Sequence, residues 1–149
     1  MNQVSAADRR AESQGLIDKL VRERTAMLSL YGDLAAHHPY TEITSVSDLL
    51  ERFCEALIDY TADAHFRLYR FIDEGRERRK EVMDVANKVY GRIAATTQSI
   101  LDFNDRYDES AHALNIDRLD EDLSRLGEEL AERIELEDQV IRAMSRKKH

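Results

Sequence analysis

The chain has 149 residues, 42% of them hydrophobic, which suffices for one sizeable core and is too short for two ordinary domains. Its formal net charge of -8 opposes binding to nucleic acid, because affinity for duplexes comes mainly from cationic side chains that displace phosphate counterions. Charged residues make up 35% of the chain and there is a single proline, a composition typical of long helices. We therefore expect one all-α domain over residues 1–149, whose acidity either favours a basic partner or serves solubility.

The compartment is indicated by what the chain lacks. Cys54 is the single cysteine and cannot form an internal disulfide. No apolar run approaches the roughly 18 residues that would span a bilayer, and the charged N-terminus does not resemble a signal peptide. The sequence predicts a cytoplasmic protein without a membrane segment.

The first half of the chain predicts two helices. Apolar residues at helical spacing begin at Leu16 and stop near Pro39, because proline disfavours continued helix. Ser45 and Asp48 then form a pair like a capping box, and the second helix is expected to run to about Gly75. The two stripes consist of Leu16, Leu20, Met27, Tyr31 and Leu34, then of Leu50, Phe53, Cys54, Leu57, Thr61, Ala64, Leu68 and Phe71.

The second half predicts two more helices. A third stripe fades around Tyr107, and Asp117 is the expected N-cap of the fourth helix. Short joints between long helices imply antiparallel neighbours, so we predict an antiparallel up-down-up-down four-helix bundle with residues 1–12 and 146–149 frayed. The stripes consist of Val82, Val85, Val89, Ile93, Ile100 and Phe103, then of Leu119, Leu123, Leu126, Leu130, Val140, Ile141 and Met144.

Motifs for chemistry are missing from the sequence. A di-iron bundle needs two Glu-x-x-His pairs, and the chain has one, Glu109 and His112, in the joint between helices three and four. There is no glycine-rich phosphate loop, nucleophile elbow or zinc-ligand spacing. We predict no catalytic residue, metal or cofactor, and thus a protein that is not an enzyme.

The outward side of the second helix carries an unusual combination of residues. A wheel at about 100° per residue turns Asp59 and Phe66 away from the core stripe, with Glu55 and Ala62 beside them. A phenylalanine in this position, beside a carboxylate, is typical of an interface anchor, although single exposed apolar residues are common. We interpret these residues as a partner-binding surface.

Three charged residues fall on predicted core faces. Arg24 interrupts the stripe of the first helix, and Arg133 and Glu137 lie in that of the fourth. Because buried charges must be paired, we expect the three side chains to meet inside the bundle as a structural polar cluster that fixes helix register.

The second helix also carries a recognisable motif. The run from Phe53 through Cys54, Leu57, Asp59 and Tyr60, continued by His65-Phe66-Arg67-Leu68-Tyr69, resembles the F-C-x-x-L-hydrophobic-D-Y…H-F-x-hydrophobic-Y signature of the Rsd/AlgQ family. Further agreement extends the resemblance from about Leu16 to Met144, through residues 97–102 in helix three and 126–138 in helix four.

The resemblance implies a regulator of transcription associated with stationary phase. Members bind the carboxy-terminal promoter-recognising domain of the primary sigma factor, a basic helix-turn-helix domain, and act as anti-sigma factors. The expected complex is one to one, without direct contact to nucleic acid. Matching positions carry the family's acidic and aromatic motif residues onto Asp59 and Phe66, and place Tyr60 and His65 in the same partner-binding set.

Two alternatives stay open at this point. A small-molecule-binding or metal-dependent bundle would use the cluster of Arg24, Arg133 and Glu137, and the missing second Glu-x-x-His pair speaks against the metal form. A self-associating scaffold would require the outward surface of the second helix to bind a second copy.

Overall fold

The computed structural model describes residues 6–73, 79–108 and 115–145, and these residues form four helices and no strand. This confirms the all-α class and the four-helix bundle. We name the helices α1, Ala6–Ala35; α2, which continues through three segments, Ile43–Asp63, Ala64–Tyr69 and Arg70–Asp73; α3, Lys80–Tyr107; and α4, Leu119–Ser145.

In each pair of neighbouring helices, residues later in one helix contact residues earlier in the other. Arg24 of α1 contacts Glu137 of α4, whereas Tyr31, further along α1, donates to the carbonyl of Leu123, which is earlier in α4. This order indicates antiparallel neighbours. The other neighbours follow the same order: Lys19–Asp63 and Tyr31–Phe53 between α1 and α2, Phe53–Phe103 and Tyr69–Tyr90 between α2 and α3, and Arg92–Glu132 and Arg106–Asp122 between α3 and α4.

The core consists of the four apolar stripes facing one another. Every residue of the predicted stripes is buried or half-buried. Met27, Leu34, Phe53 and Leu57 are each 0% exposed, and burial of such a side chain stabilises the fold by roughly 1.5–3 kcal/mol. Because isolated helices are only marginally stable, burial of these stripes between the helices accounts for their stability.

Three helix starts differ from the sequence predictions. Helix α1 begins at Ala6, so residues 6–12, predicted to fray, are helical. Helix α2 begins at Ile43, ahead of Ser45, whose hydroxyl donates to the Glu42 carboxylate at 3.2 Å instead of capping the helix. Helix α4 begins at Leu119, and the N–H of Asp117 donates to Asn115 Oδ1 at 3.0 Å, so Asp117 closes a side-chain turn before the helix.

Helix α2 contains a π-helical segment, Ala64–Tyr69, within its continuous length. The N–H of Arg70 accordingly donates to the carbonyl of His65, five residues earlier. Such wider turns are rare in proteins. Those that occur are often found at functional sites. This one carries His65, Phe66 and Tyr69, and by its end it has turned Tyr69 to the buried side, where a regular helical wheel would not place it.

Candidate functional site

A hydrogen-bonded network in the middle of the bundle centres on Glu137, which is 0% exposed. The Tyr60 hydroxyl donates to its Oε1 at 2.9 Å and the Tyr69 hydroxyl to its Oε2 at 3.0 Å. Arg24 Nη1 donates to Oε1 at 3.3 Å and to Asp138 Oδ1 at 2.8 Å. Both oxygens of the buried carboxylate are thus satisfied, as burial of a charge requires.

Arg133 supplies the second buried charge of this network and is 1% exposed. Its Nε lies 3.8 Å from Glu137 Oε2 and donates to the Tyr60 hydroxyl at 3.1 Å. Its Nη1 donates to the hydroxyls of Thr97 at 2.7 Å and Thr96 at 3.2 Å. One guanidinium therefore connects α4 to both α2 and α3.

Electrostatics keep the two tyrosines and Arg133 of the network as hydrogen-bond donors. Burial, together with the negative charge of Glu137, raises the pKa of Tyr60 and of Tyr69 well above their ordinary value, so both remain hydroxyl donors. Burial works against the charge of Arg133, but Tyr60, Tyr69 and Glu137 outweigh it, and the pKa of Arg133 is raised. These three side chains therefore keep their donor protons.

The π segment explains how two tyrosines of one helix reach the same carboxylate. Tyr60 and Tyr69 are nine residues apart, which in a regular α-helix of 3.6 residues per turn is about two and a half turns, placing them on opposite sides. The wider turn between Ala64 and Tyr69 rotates Tyr69 back toward Glu137.

The structure brings together the three residues of the predicted polar cluster, Arg24, Arg133 and Glu137. Sequence analysis missed the tyrosine and threonine partners. Tyr60 had been assigned to the partner-binding surface, but it is 0% exposed and bonded to Glu137, so that assignment is wrong for its side chain. Tyr60 and Tyr69 are both part of the family motif, and in the structure both donate to Glu137 in the network.

The remaining residues of the predicted partner-binding set lie at the surface of α2. Phe66 is 60% exposed, and Glu55, Asp59 and His65 are exposed, whereas Ala62 is half-buried. The rings of His65 and Phe66 meet edge to face with centroids 4.9 Å apart. The surface thus combines carboxylates of the regular segment with an aromatic pair on the π segment.

Further carboxylates adjoin this surface where α1 packs against α2. Lys19 Nζ lies 3.8 Å from Glu23 and 3.9 Å from Asp63, and Arg67 Nε donates to Asp63 at 2.9 Å. Burial raises the pKa of Glu23 to about 7, assisted by a hydrogen bond to Asp63 and by the charges of Asp63 and Asp59. The pKa of Asp63 is lowered, because hydrogen bonds from Glu23 and Arg67 outweigh its burial.

A second ionic group, also missed from the sequence, joins α3 to α4. Arg106 Nη1 and the Tyr107 hydroxyl both donate to Asp122 Oδ2, the former at 2.9 Å. Burial raises the pKa of Asp122, but these hydrogen bonds lower it more, so the residue is held as a carboxylate. Hydrophobic periodicity carries no signal for such a pair.

No group of three or more potential metal ligands occurs within residues 6–73, 79–108 and 115–145. The pair Glu109 and His112, weighed above as a metal motif, lies outside the described residues. In the described part of the chain no helix is long and apolar enough to cross a membrane.

The fold and the site define an acidic four-helix-bundle protein with a buried ionic network and an acidic and aromatic face on α2. The sequence profile of a family described as regulator of RNA polymerase sigma(70) subunit, Rsd/AlgQ, matches residues 1–145. The chain belongs to this family.

Curated relatives agree with the profile. The chain is 33% identical over 145 residues to a protein named regulator of sigma D from Enterobacter sp. (strain 638), covering 95% of this chain and 87% of the relative. Proteins of the same name from Pectobacterium carotovorum subsp. carotovorum (31% over 136 residues; 87% and 88%) and Yersinia enterocolitica (33% over 150; 92% and 84%) are similar. No solved structure matches the chain.

Proposed function

We propose that this protein binds the carboxy-terminal, promoter-recognising domain of the primary sigma factor, one to one, and keeps it from promoter DNA and from core RNA polymerase. It acts by binding alone, without catalysis. Membership in a family of sigma(70) regulators supports a sigma factor as the partner. The choice of domain and the sequestration rest on the surface described next.

The observation that carries the proposal is the exposure of Phe66 on the same helix as the exposed carboxylates of Asp59 and Glu55. A phenylalanine that is 60% exposed leaves apolar surface in water, and binding energy at interfaces is concentrated in a few such anchors. Carboxylates beside it favour a partner that presents cationic and apolar side chains together.

The overall charge supports the same partner. A net charge of -8 attracts a basic DNA-binding domain, which speeds encounter and competes with DNA for the same cationic face. Promoter DNA carries one negative charge per roughly 1.7 Å of helix axis, so an acidic protein that covers the cationic face excludes DNA from it.

The buried network supports this surface from behind. Tyr60, which directly follows Asp59, and Tyr69, three residues after Phe66, are both bonded to Glu137. Fixing α2 on either side of the anchors reduces the conformational entropy that binding must overcome. Because both Glu137 oxygens already have donors, the network is less suited to hold a small molecule or metal.

The proposal is tested by measuring the affinity of the purified sigma domain for four variants. Asp59→Ala and Phe66→Ala should weaken binding at least about tenfold, or 1.4 kcal/mol, while leaving the melting temperature nearly unchanged. Leu28→Ala on α1 and Asp102→Ala on α3 are matched controls, since they remove an exposed apolar and an exposed acidic side chain elsewhere. Normal binding by both stable test variants would overturn the site, and absence of binding by the unmodified protein would overturn the proposal.

A further inference from the structure

A groove of about 510 Å³ lies between α2 and α3, on the side of α2 that carries Glu55 and Asp59. Four of the residues that line the groove are acidic, and none of the described lining residues is basic. The lining consists of Glu51, Cys54, Glu55, Ile58, Asp59, Asn104, Tyr107 and Asp108. The carboxylates come from both helices, so the negative charge of the α2 surface continues onto the end of α3.

The floor of the groove is apolar. Cys54 and Tyr107 are buried, and Ile58 is half-buried. Burial raises the pKa of the Cys54 thiol to about 12, with smaller contributions from Asp108 and Glu55, so the thiol stays neutral. A groove with acidic walls and a neutral floor fits a long cationic side chain, whose methylene stem packs on the floor while its charge meets the walls.

Two residues, Tyr90 and Leu101, extend the surface along α3 from Asp108, which directly follows that helix. Tyr90 and Asp108 are 18 residues apart, or five full turns, so they share one side of the helix at a separation of about 27 Å. Leu101 lies between them on the same side. Tyr90 is 49% exposed and Leu101 41% exposed, which makes them two of the large apolar residues that reach the surface in the described part of the chain.

Tyr90 lies near the same end of the bundle as the aromatic pair of α2. Its ring meets that of Tyr69 edge to face at 6.2 Å. His65 precedes Tyr69 by four residues on the π segment, and the ring of His65 contacts that of Phe66. The aromatic residues of α2 and α3 therefore gather at one end of the face, opposite the acidic groove.

We propose that the binding surface spans both helices and that it receives a basic amphipathic helix of the sigma domain. The cationic end of that helix lies in the α2–α3 groove, and its apolar side lies along Leu101 to Tyr90 and Phe66. This inference rests on the proposed function and adds the chemistry and direction of the bound element.

Charge decides between this occupant and a second copy of the chain. Two copies would bring two acidic grooves and two net charges of -8 together, and like charges facing each other at an interface cost several kcal/mol. A basic helix instead pairs its charges with the groove and covers the exposed aromatic end.

The test measures the affinity of full-length variants for the sigma domain between low and high salt. Tyr90→Ala and Leu101→Ser should each weaken binding about fivefold or more without changing its salt dependence, because they remove apolar contact. Asp108→Asn should weaken binding and also flatten its salt dependence, because it removes a charge from the groove. Asp102→Asn, an equal charge change on the side of α3 that faces α4, should bind like the unmodified protein.

The outcomes separate the inference from the proposed function. If Asp59→Ala and Phe66→Ala weaken binding while Tyr90→Ala, Leu101→Ser and Asp108→Asn all bind normally, the surface is confined to α2 and the inference is wrong although the function stands. An equal loss in Asp102→Asn and Asp108→Asn would also overturn it, by revealing a general effect of charge. Melting curves identify any variant whose loss of binding comes from unfolding, and Leu101→Ser then decides in place of Tyr90→Ala.

Discussion

Glu137 is the residue on which the described hydrogen bonds of the core converge. Donors from α1 and α2 satisfy its two oxygens, and Arg133 lies on the same helix 3.8 Å away. A buried ion pair contributes little net stability when intact, because the cost of desolvation offsets the attraction. Removing one partner is different, since it leaves an uncompensated charge.

Glu137→Ala should therefore lower the free energy of unfolding by roughly 3 to 5 kcal/mol, because Arg24 and Arg133 lose their shared counter-ion. The measurement is urea unfolding, with Glu135→Ala, an exposed glutamate of the same helix, as the control with little expected effect. A Glu137→Ala variant that unfolds like the unmodified protein yet loses the sigma domain would show a binding role instead of a structural one.

The raised pKa of Glu23 predicts that the stability of the protein depends on pH. Folding raises the pKa of Glu23 from its ordinary value of 4.5 to about 7, first through burial and then through Asp63, so the folded state holds its proton more tightly than the unfolded chain. Stability should accordingly fall as pH rises from about 4.5 to about 7. Lys19, Asp59, Asp63 and Arg67 are the other charged groups of this region.

Glu23→Gln should remove this part of the pH dependence, because glutamine is neutral throughout. Melting temperatures at pH 5 and pH 8 measure it: the difference between the two should be smaller in the variant than in the unmodified protein. An unchanged difference would mean that Glu23 ionises normally in the folded state.

At the scale of elements, α1 and α4 approach closely where Gly127 faces Tyr31. A Cβ at Gly127 would stand 2.3 Å from the Tyr31 hydroxyl oxygen, which donates to the Leu123 carbonyl at 2.8 Å. Tyr31 also packs edge to face against Phe53, so its ring has little freedom to move aside. A side chain at position 127 would therefore displace Tyr31 or push the two helices apart.

Gly127→Ala should destabilise the protein by roughly 1 to 3 kcal/mol through overpacking and loss of the Tyr31 hydrogen bond. Gly91→Ala on α3 is the matched control, because nothing lies within 4 Å of its added Cβ. There the better helix propensity of alanine should stabilise by up to about 1 kcal/mol. Thermal unfolding of both variants decides, and equal shifts would contradict the close approach.

Helix α2 shows how far the sequence predicts this molecule. Its apolar stripe predicted the buried side, since periodicity reflects burial directly. The wheel also predicted that Asp59 and Phe66 are exposed, because the first lies on the regular segment and the second only three residues into the π segment.

The features that the sequence could not predict depend on tertiary contacts. Tyr69 reaches Glu137 because of the π turn. The residue types in Ala64–Tyr69 do not predict such a turn. The motif predicts Tyr60 at the partner-binding surface. Its hydroxyl instead donates to Glu137, which is 77 residues away in the sequence. Periodicity identified the charged members of the cluster because a charged residue interrupts an apolar stripe. Tyrosine and threonine are compatible with such a stripe, so periodicity did not identify them.

The net charge of -8 predicts electrostatic attraction between the whole molecule and the proposed basic partner. Binding of the sigma domain should weaken as salt rises, because attraction between an acidic protein and a basic domain is screened within about 10 Å at 0.1 M ionic strength. The affinity measured by titration at several salt concentrations tests this. Constant affinity across the series would indicate an apolar interface without electrostatic steering.

If the α2 face sequesters the primary sigma factor, this protein should compete with core RNA polymerase for it. The most direct measurement is the fraction of sigma bound to core RNA polymerase as increasing amounts of this protein are added, followed by gel filtration. We expect the fraction to fall with the unmodified protein and with Leu28→Ala, and to stay near its starting value with Phe66→Ala at the same concentrations. A fraction that is unchanged by the unmodified protein, or that falls equally with Phe66→Ala, would contradict it.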